Sequence, residues 1–85
     1  MFYMYILKSS ADNNLYIGST RDLKKRFIEH NKGLSKSTKN RRPFKLIYYE
    51  AYLAESDARK REHNLKLRAK AFTQLKRRIQ TSINI

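Results

Sequence analysis

Apolar residues recur along this chain with two different periods, and the change of period divides it into elements. Phe2 to Lys8 is rich in aromatic and aliphatic side chains, a composition that suits a half-buried strand. Asp12-Asn13-Asn14 interrupts it. These side chains bond to their own backbone and tolerate positive φ, so the chain is expected to turn there. Leu15 to Ser19 returns as a second strand, and the two read as a hairpin. Leu23, Phe27 and His30 then follow at helical spacing, with Thr20 as the expected N-cap, Asp22 in the first turn and Gly33 at the end.

Lys32 to Arg42 has one sizeable apolar residue, Leu34, and is expected to be an exposed loop. Pro43 closes it, and Phe44 to Leu53 reads as a third strand. Ser56 is the expected cap of a second helix, on which Ala58, Glu62, Leu65 and Ala69 share one face. Phe72, Leu75 and Ile79 form a third amphipathic stripe, with Lys76, Arg77 and Arg78 on its opposite side. Thr81 to Ile85 is expected to fray. The order ββαβα plus a C-terminal helix predicts an α+β fold, a small three-stranded antiparallel sheet flanked by helices. Residues 1–85 are read as a single domain.

Composition changes this picture chiefly through charge. Twenty Lys and Arg against seven Asp and Glu give a net charge of +13. Self-repulsion on that scale is relieved by a polyanion. Nucleic acid is the expected partner, because neutralising phosphates releases counterions. DNA is favoured, RNA fits the same charge, and an anionic membrane surface is the weaker competitor. The loop cations Lys32, Lys36, Lys39, Arg41 and Arg42 are the expected backbone contacts, positioning a strand without reading its sequence. The absence of cysteine removes disulfides and thiolate metal sites. Met1 to Ser10 lacks the long uncharged core of a signal peptide, and no apolar run approaches the ~20 residues of a membrane span. A soluble, cytoplasmic protein is expected.

Strand parity sets Tyr3 and Tyr5 on one face of the first strand and Tyr16, Gly18 and Thr20 on one face of the second. Antiparallel pairing would bring Tyr5 and Tyr16 close. Arg26 and His30, four apart on a helix, project side by side. Glu62 places a carboxylate on an otherwise apolar stripe, which is costly unless a cation meets it. Each residue also has a plainer reading. The tyrosines would pack on the sheet, Arg26 would be solvated, and His30 would interact with the end of its helix. Glu62 would pair with Arg59 or Lys66, and Tyr48-Tyr49 would pack within its strand. Gly18 suits a close approach of backbone or substrate. His63 points about 100° away from Glu62 around the helix and is left outside the site.

Taken together, these residues resemble a known family. Tyr5, the run Leu15-Tyr16-Ile17-Gly18-Ser19-Thr20, Asp22-Leu23-Lys24-Lys25-Arg26 and Glu29-His30 stand in the order and spacing of the GIY-YIG nuclease superfamily. Arg42 to Glu50 and Ser56 to Glu62 are similar too, so the resemblance covers nearly the whole chain. It is strongest to the small stand-alone bacterial members, the endonuclease-like or excinuclease-C-like proteins. The first motif departs from the family, reading Tyr3-Met4-Tyr5 in place of Gly-Ile-Tyr.

The resemblance implies an endonuclease that hydrolyses DNA phosphodiester bonds, with repair or recombination as its setting. It implies that Tyr5 and Tyr16 lie near the attacking water, that Arg26 holds the scissile phosphate, and that His30 orients a tyrosine or relays a proton. Glu62 would be the metal-binding glutamate, holding Mg²⁺ or Mn²⁺. A non-catalytic nucleic-acid-binding module with the same basic surface is the alternative. It leaves unexplained why Glu62 interrupts an apolar stripe.

Overall fold

The computed structural model describes residues 1–85. The segment richest in apolar residues, β1 (Phe2–Ser9), lies at the centre of a three-stranded antiparallel sheet, flanked by β2 (Leu15–Thr20) and β3 (Phe44–Tyr52). Met4, Tyr5, Ile6 and Leu7 are all buried. A strand buried on both faces reads as a continuous apolar run, and here helices cover both sides. On one face Tyr5, Leu7 and Phe44 pack with Leu23 and Phe27 of α1 (Leu23–Asn31). On the other, Met4, Ile6 and Ile17 pack against Leu65 of α2 (Glu55–Leu67) and Leu75 of α3 (Ala69–Arg78). Ile79, between α3 and α4 (Gln80–Asn84), joins that second cluster.

The β1–β3 register slips between Ile6, opposite Tyr48, and Leu7, opposite Leu46. The extra residue, Ile47, forms a bulge, so Ile47 and Tyr48 both pack towards the α2 side. On that side Glu50 accepts hydrogen bonds from Tyr48 (2.6 Å) and Tyr52 and a two-pronged pair from Arg61 at 3.0 and 3.2 Å. This network ties α2 to β3.

The hairpin turn and the end of α1 follow local chemistry. Asn13 has φ 59°, and Asp12 Oδ1 accepts from the Asn14 N–H. Gly33 has φ 75°; its N–H bonds to His30 O and that of Leu34 to Glu29 O, a Schellman closure.

Four local expectations are corrected. The side chain capping α1 is Asp22, which accepts from the Lys25 N–H at 3.0 Å; Thr20 lies two residues too early and instead accepts from the Asp22 N–H. No side chain caps α2, because the helix starts at Glu55 and puts Ser56 inside it. Ala69 is exposed and lies on α3, since the chain bends at Arg68. The C-terminal residues are not left without structure: Thr81 to Asn84 lie in α4, where Ile83 packs on the core and its carbonyl accepts from Lys8 Nζ at 2.6 Å. No helix is long and apolar enough to cross a membrane.

Candidate active site at the edge of β2

Tyr5 is buried on the central strand, opposite Gly18 of β2, and its ring lies over that glycine. A methyl group at Gly18 would overlap the Tyr5 hydroxyl and Cζ. Glycine therefore fits the β2 position because a neighbouring side chain occupies the space. Tyr16 pairs with Leu7, one step along the same face, and its ring centroid is 6.4 Å from that of Tyr5. His30 comes down from the last turn of α1 between the two phenols, 5.9 Å from the Tyr5 ring and 5.1 Å from the Tyr16 ring.

His30 is completely buried and both ring nitrogens are engaged. Nε2 lies 2.9 Å from the Tyr5 hydroxyl, and Nδ1 lies 2.8 Å from Thr38 Oγ1. Burial, and then the positive charge of Arg26, push the imidazole pKa down to about 4, so it is neutral at physiological pH. Burial and the nearby Tyr16 phenol push Tyr5 up to about 12, only partly opposed by Arg26. This constellation thus holds a neutral phenol against a neutral imidazole.

Arg26 stands one turn before His30 on α1. Nη1 bonds to Glu29 at 3.3 Å and Nη2 to Ser35 Oγ at 3.2 Å. These contacts use two of the five guanidinium donors. The side chain remains 31% exposed, which leaves a cation able to meet a phosphate. Thr20, Arg21, Asp22, Lys25, Arg26 and Glu29 line an open cleft of about 400 Å³ on this side.

Glu62 arrives from the opposite layer, not from the α1 face with the other candidates. It projects from α2 to the edge strand, where Ser19 Oγ donates to Oε1 at 2.7 Å and Lys66 Nζ meets Oε2 at 2.6 Å. The same Lys66 ammonium stands 5.8 Å from the Tyr16 ring centroid. Tyr16 therefore joins the two groups of residues around the rim of β2. Of the pairings expected for Glu62, Lys66 makes one, whereas Arg59 contacts Glu55 instead.

Within the basic loop, Lys32, Lys36, Lys39 and Arg42 are exposed. Arg41 is tied inward by Asp12 at 2.8 Å and lies 5.8 Å from the Phe44 ring centroid. Its guanidinium pins the loop to the hairpin. Ser19, Ser35 and Thr38 emerge as site residues that the sequence reading missed. Ser35 and Thr38 are buried within a polar loop, and only their partners Arg26 and His30 explain why. Ser19 carried a faint signal: parity opposite Tyr16 and Gly18 assigns it to the other face.

A single carboxylate suits Mg²⁺, which keeps most of its water shell. No cluster of three or more His, Cys, Asp or Glu side chains accompanies Glu62. Its carboxylate already faces a cation, the half-exposed Lys66 ammonium. The donor set therefore fits a hydrated divalent ion held by one carboxylate, with Lys66 as its competitor.

The model of the GIY-YIG catalytic domain matches residues 1–80. A UPF0213 protein of Staphylococcus saprophyticus is 46% identical over 65 residues, spanning 75% of this chain and 78% of that one. One from Pediococcus pentosaceus is 45% identical over 71 residues, 82% of this chain and 74% of that one. The solution NMR structure of a UPF0213 protein from Bacillus halodurans superposes with a TM-score of 0.56 at 30% identity, covering 93% of this chain and 87% of that one. Family match, fold and the order of the motif residues agree, and the chain belongs to the GIY-YIG family of nuclease domains.

Proposed function

We propose that this protein is a metal-dependent endonuclease that hydrolyses phosphodiester bonds in DNA, acting in repair or recombination. The observation that carries the proposal is the meeting of Tyr5, Tyr16, His30, Arg26 and Glu62 around one edge of the sheet from both helical layers. A packing role for each alone gives no reason for that convergence.

The chemistry follows from the groups. Arg26 binds the phosphate and balances the charge that builds on its oxygens as water attacks phosphorus. The water gives its proton to the Tyr5–His30 pair as the new P–O bond forms. The old P–O bond breaks and the leaving alkoxide takes a proton from solvent. With its pKa near 12 Tyr5 is a weak acid, and His30 behind it provides the acceptor that a lone phenol lacks. Burial is the main cause of the low His30 pKa and the Arg26 charge adds to it; bound phosphate cancels that second part, so substrate makes the imidazole more basic. Glu62 would hold Mg²⁺ or Mn²⁺, which when bound supplies Lewis-acid stabilisation of the phosphate and leaving oxygen. The exposed Lys32, Lys36, Lys39 and Arg42 lie on the loop that follows α1 and would hold the flanking backbone.

A second reading has one observation in its favour. Both Glu62 oxygens are already engaged, by Ser19 and Lys66, as in a domain that binds nucleic acid without cutting it. Labelled single-stranded, duplex and branched DNA, incubated with Mg²⁺ or Mn²⁺, separates the two. The nuclease cuts at least one of these, and Glu62→Ala abolishes cutting while binding persists. The binding module cuts none, and its salt-sensitive binding is the same in wild type and Glu62→Ala.

A further inference from the structure

Thr38 lies in the basic loop, outside every motif of the family resemblance, yet its side chain is completely buried. Its hydroxyl stands 2.8 Å from His30 Nδ1 and 3.5 Å from the Ser35 carbonyl oxygen. With the Tyr5 hydroxyl 2.9 Å from Nε2, four groups form one chain across the core: phenol, imidazole, hydroxyl and backbone carbonyl.

Proton counting decides its direction. The Ser35 carbonyl can only accept; the Thr38 N–H takes one of its lone pairs at 3.1 Å, and the Thr38 O–H points at the other. Thr38 oxygen then accepts from Nδ1–H, which leaves the Nε2 lone pair to accept the Tyr5 O–H. Every donor has an acceptor in this arrangement. In the reversed chain Nε2–H would point at the Tyr5 oxygen. The phenolic proton would then have no protein acceptor.

We propose that Thr38 is a positioning residue that holds His30 as the Nδ1–H tautomer, so that Nε2 receives the Tyr5 proton. The proposal rests on the nuclease reading for its catalytic consequence. With its O–H committed to His30, the Tyr5 oxygen keeps only lone pairs to offer a second partner. As the attacking water passes a proton to that oxygen, the phenolic proton moves to Nε2. Tyr5 ends neutral as it began, and His30 becomes imidazolium with Nδ1–H still bonded to Thr38. A His30 held in the other tautomer has no lone pair at Nε2 and cannot take the proton.

The imidazole nitrogen resonances of the folded, DNA-free protein report the tautomer directly. Wild type and Thr38→Ser should show Nδ1 protonated and Nε2 unprotonated. Thr38→Val and Thr38→Ala, which offer no acceptor to Nδ1–H, should shift His30 to the Nε2–H form. Cleavage should fall by about 10²-fold or more in the latter two, on the scale of a lost proton acceptor, and return in Thr38→Ser. A wild-type His30 protonated at Nε2, or an unchanged tautomer in whichever of Thr38→Val and Thr38→Ala folds, overturns the assignment. If wild type shows the expected tautomer and loses it with Thr38 but cuts no DNA, Thr38 keeps its positioning role and the nuclease reading fails.

Discussion

Ser19 on the edge strand donates to Glu62 on α2 across 2.7 Å, joining the sheet rim to the helical layer behind it. The bond fixes one carboxylate oxygen and turns the carboxylate towards the rim that Tyr16 occupies. Lys66 holds the other oxygen at 2.6 Å, but its side chain is 46% exposed and free to leave. On the proposed metal reading the two contacts would act oppositely on a divalent cation, one orienting the ligand and the other competing for it.

Lys66→Gln should lower the Mg²⁺ concentration needed for half-maximal cleavage, because a neutral amide competes less well with the cation. Ser19→Ala should raise that concentration, because Glu62 loses its fixed orientation. Loss of a group that orients a metal ligand ordinarily weakens metal binding by ~10–100-fold. Titrating Mg²⁺ against cleavage rate checks both directions.

Arg26→Lys keeps the charge and discards the fork. Cleavage should drop by about 10²–10³-fold, the usual effect of removing one oriented donor to transition-state charge. Affinity for DNA at low salt should change little, since most of the cationic surface is untouched. Single-turnover rates beside equilibrium binding separate the two effects.

Stability should depend on His30 over a defined pH range. Its folded pKa is about 4 against 6.5 for a free histidine. Its contribution is complete above about pH 6.5. As pH falls from there towards 4 the unfolded chain gains a proton that the folded one refuses, so stability drops. The slope is at most about 1.4 kcal/mol per pH unit. Urea melts from pH 7.5 to 4.5 should show this loss in wild type, and His30→Gln should remove most of the slope.

Two neighbouring loop cations should behave differently. Lys39→Ala should reduce the slope of log affinity against log salt by about 0.9 for duplex DNA, one phosphate contact. Arg41→Ala should act chiefly on stability, because its guanidinium bonds to Asp12 and to the Leu15 carbonyl. Salt titrations and thermal melts of the two variants tell them apart.

Gly18→Ala should destabilise the fold by about 1–3 kcal/mol, the usual effect of overfilling a packed site, because the added methyl overlaps the Tyr5 hydroxyl. It should also displace that hydroxyl from His30. A lower urea midpoint accompanied by a changed His30 nitrogen spectrum would register both.

The strands, helices and their order were legible because period 2 and period 3.6 are properties of adjacent residues. Gly33 was readable as a helix end for the same reason. The cap of α1 went to Asp22 over Thr20, and α2 formed without a side-chain cap, because propensity ranks cap residues without locating the first turn. The docking of α4 depends on Ile83 finding the core, which no local pattern specifies. Tyr5, Tyr16, Arg26, His30 and Glu62 are candidates singled out through the family resemblance, with parity and spacing agreeing. Ser35 and Thr38 were not, since a serine and a threonine in a lysine-rich loop look like solvent-facing residues. Their burial arises from partners on α1, and that pairing exists only once the loop has folded back.

The loop from Lys32 to Arg42 also keeps grip on a charged strand apart from the proposed proton transfer. Ser35 and Thr38 face inward and hold the guanidinium and imidazole, while Lys36 and Ser37 between them face solvent. On the nuclease reading, substitution at 36 or 37 would tune grip on a charged strand and leave proton transfer untouched. Deleting a single residue there would bring the two hydroxyls out of phase with α1 together. The two outward positions are thus open in composition, while the spacing of the two inward hydroxyls is fixed by their partners on α1.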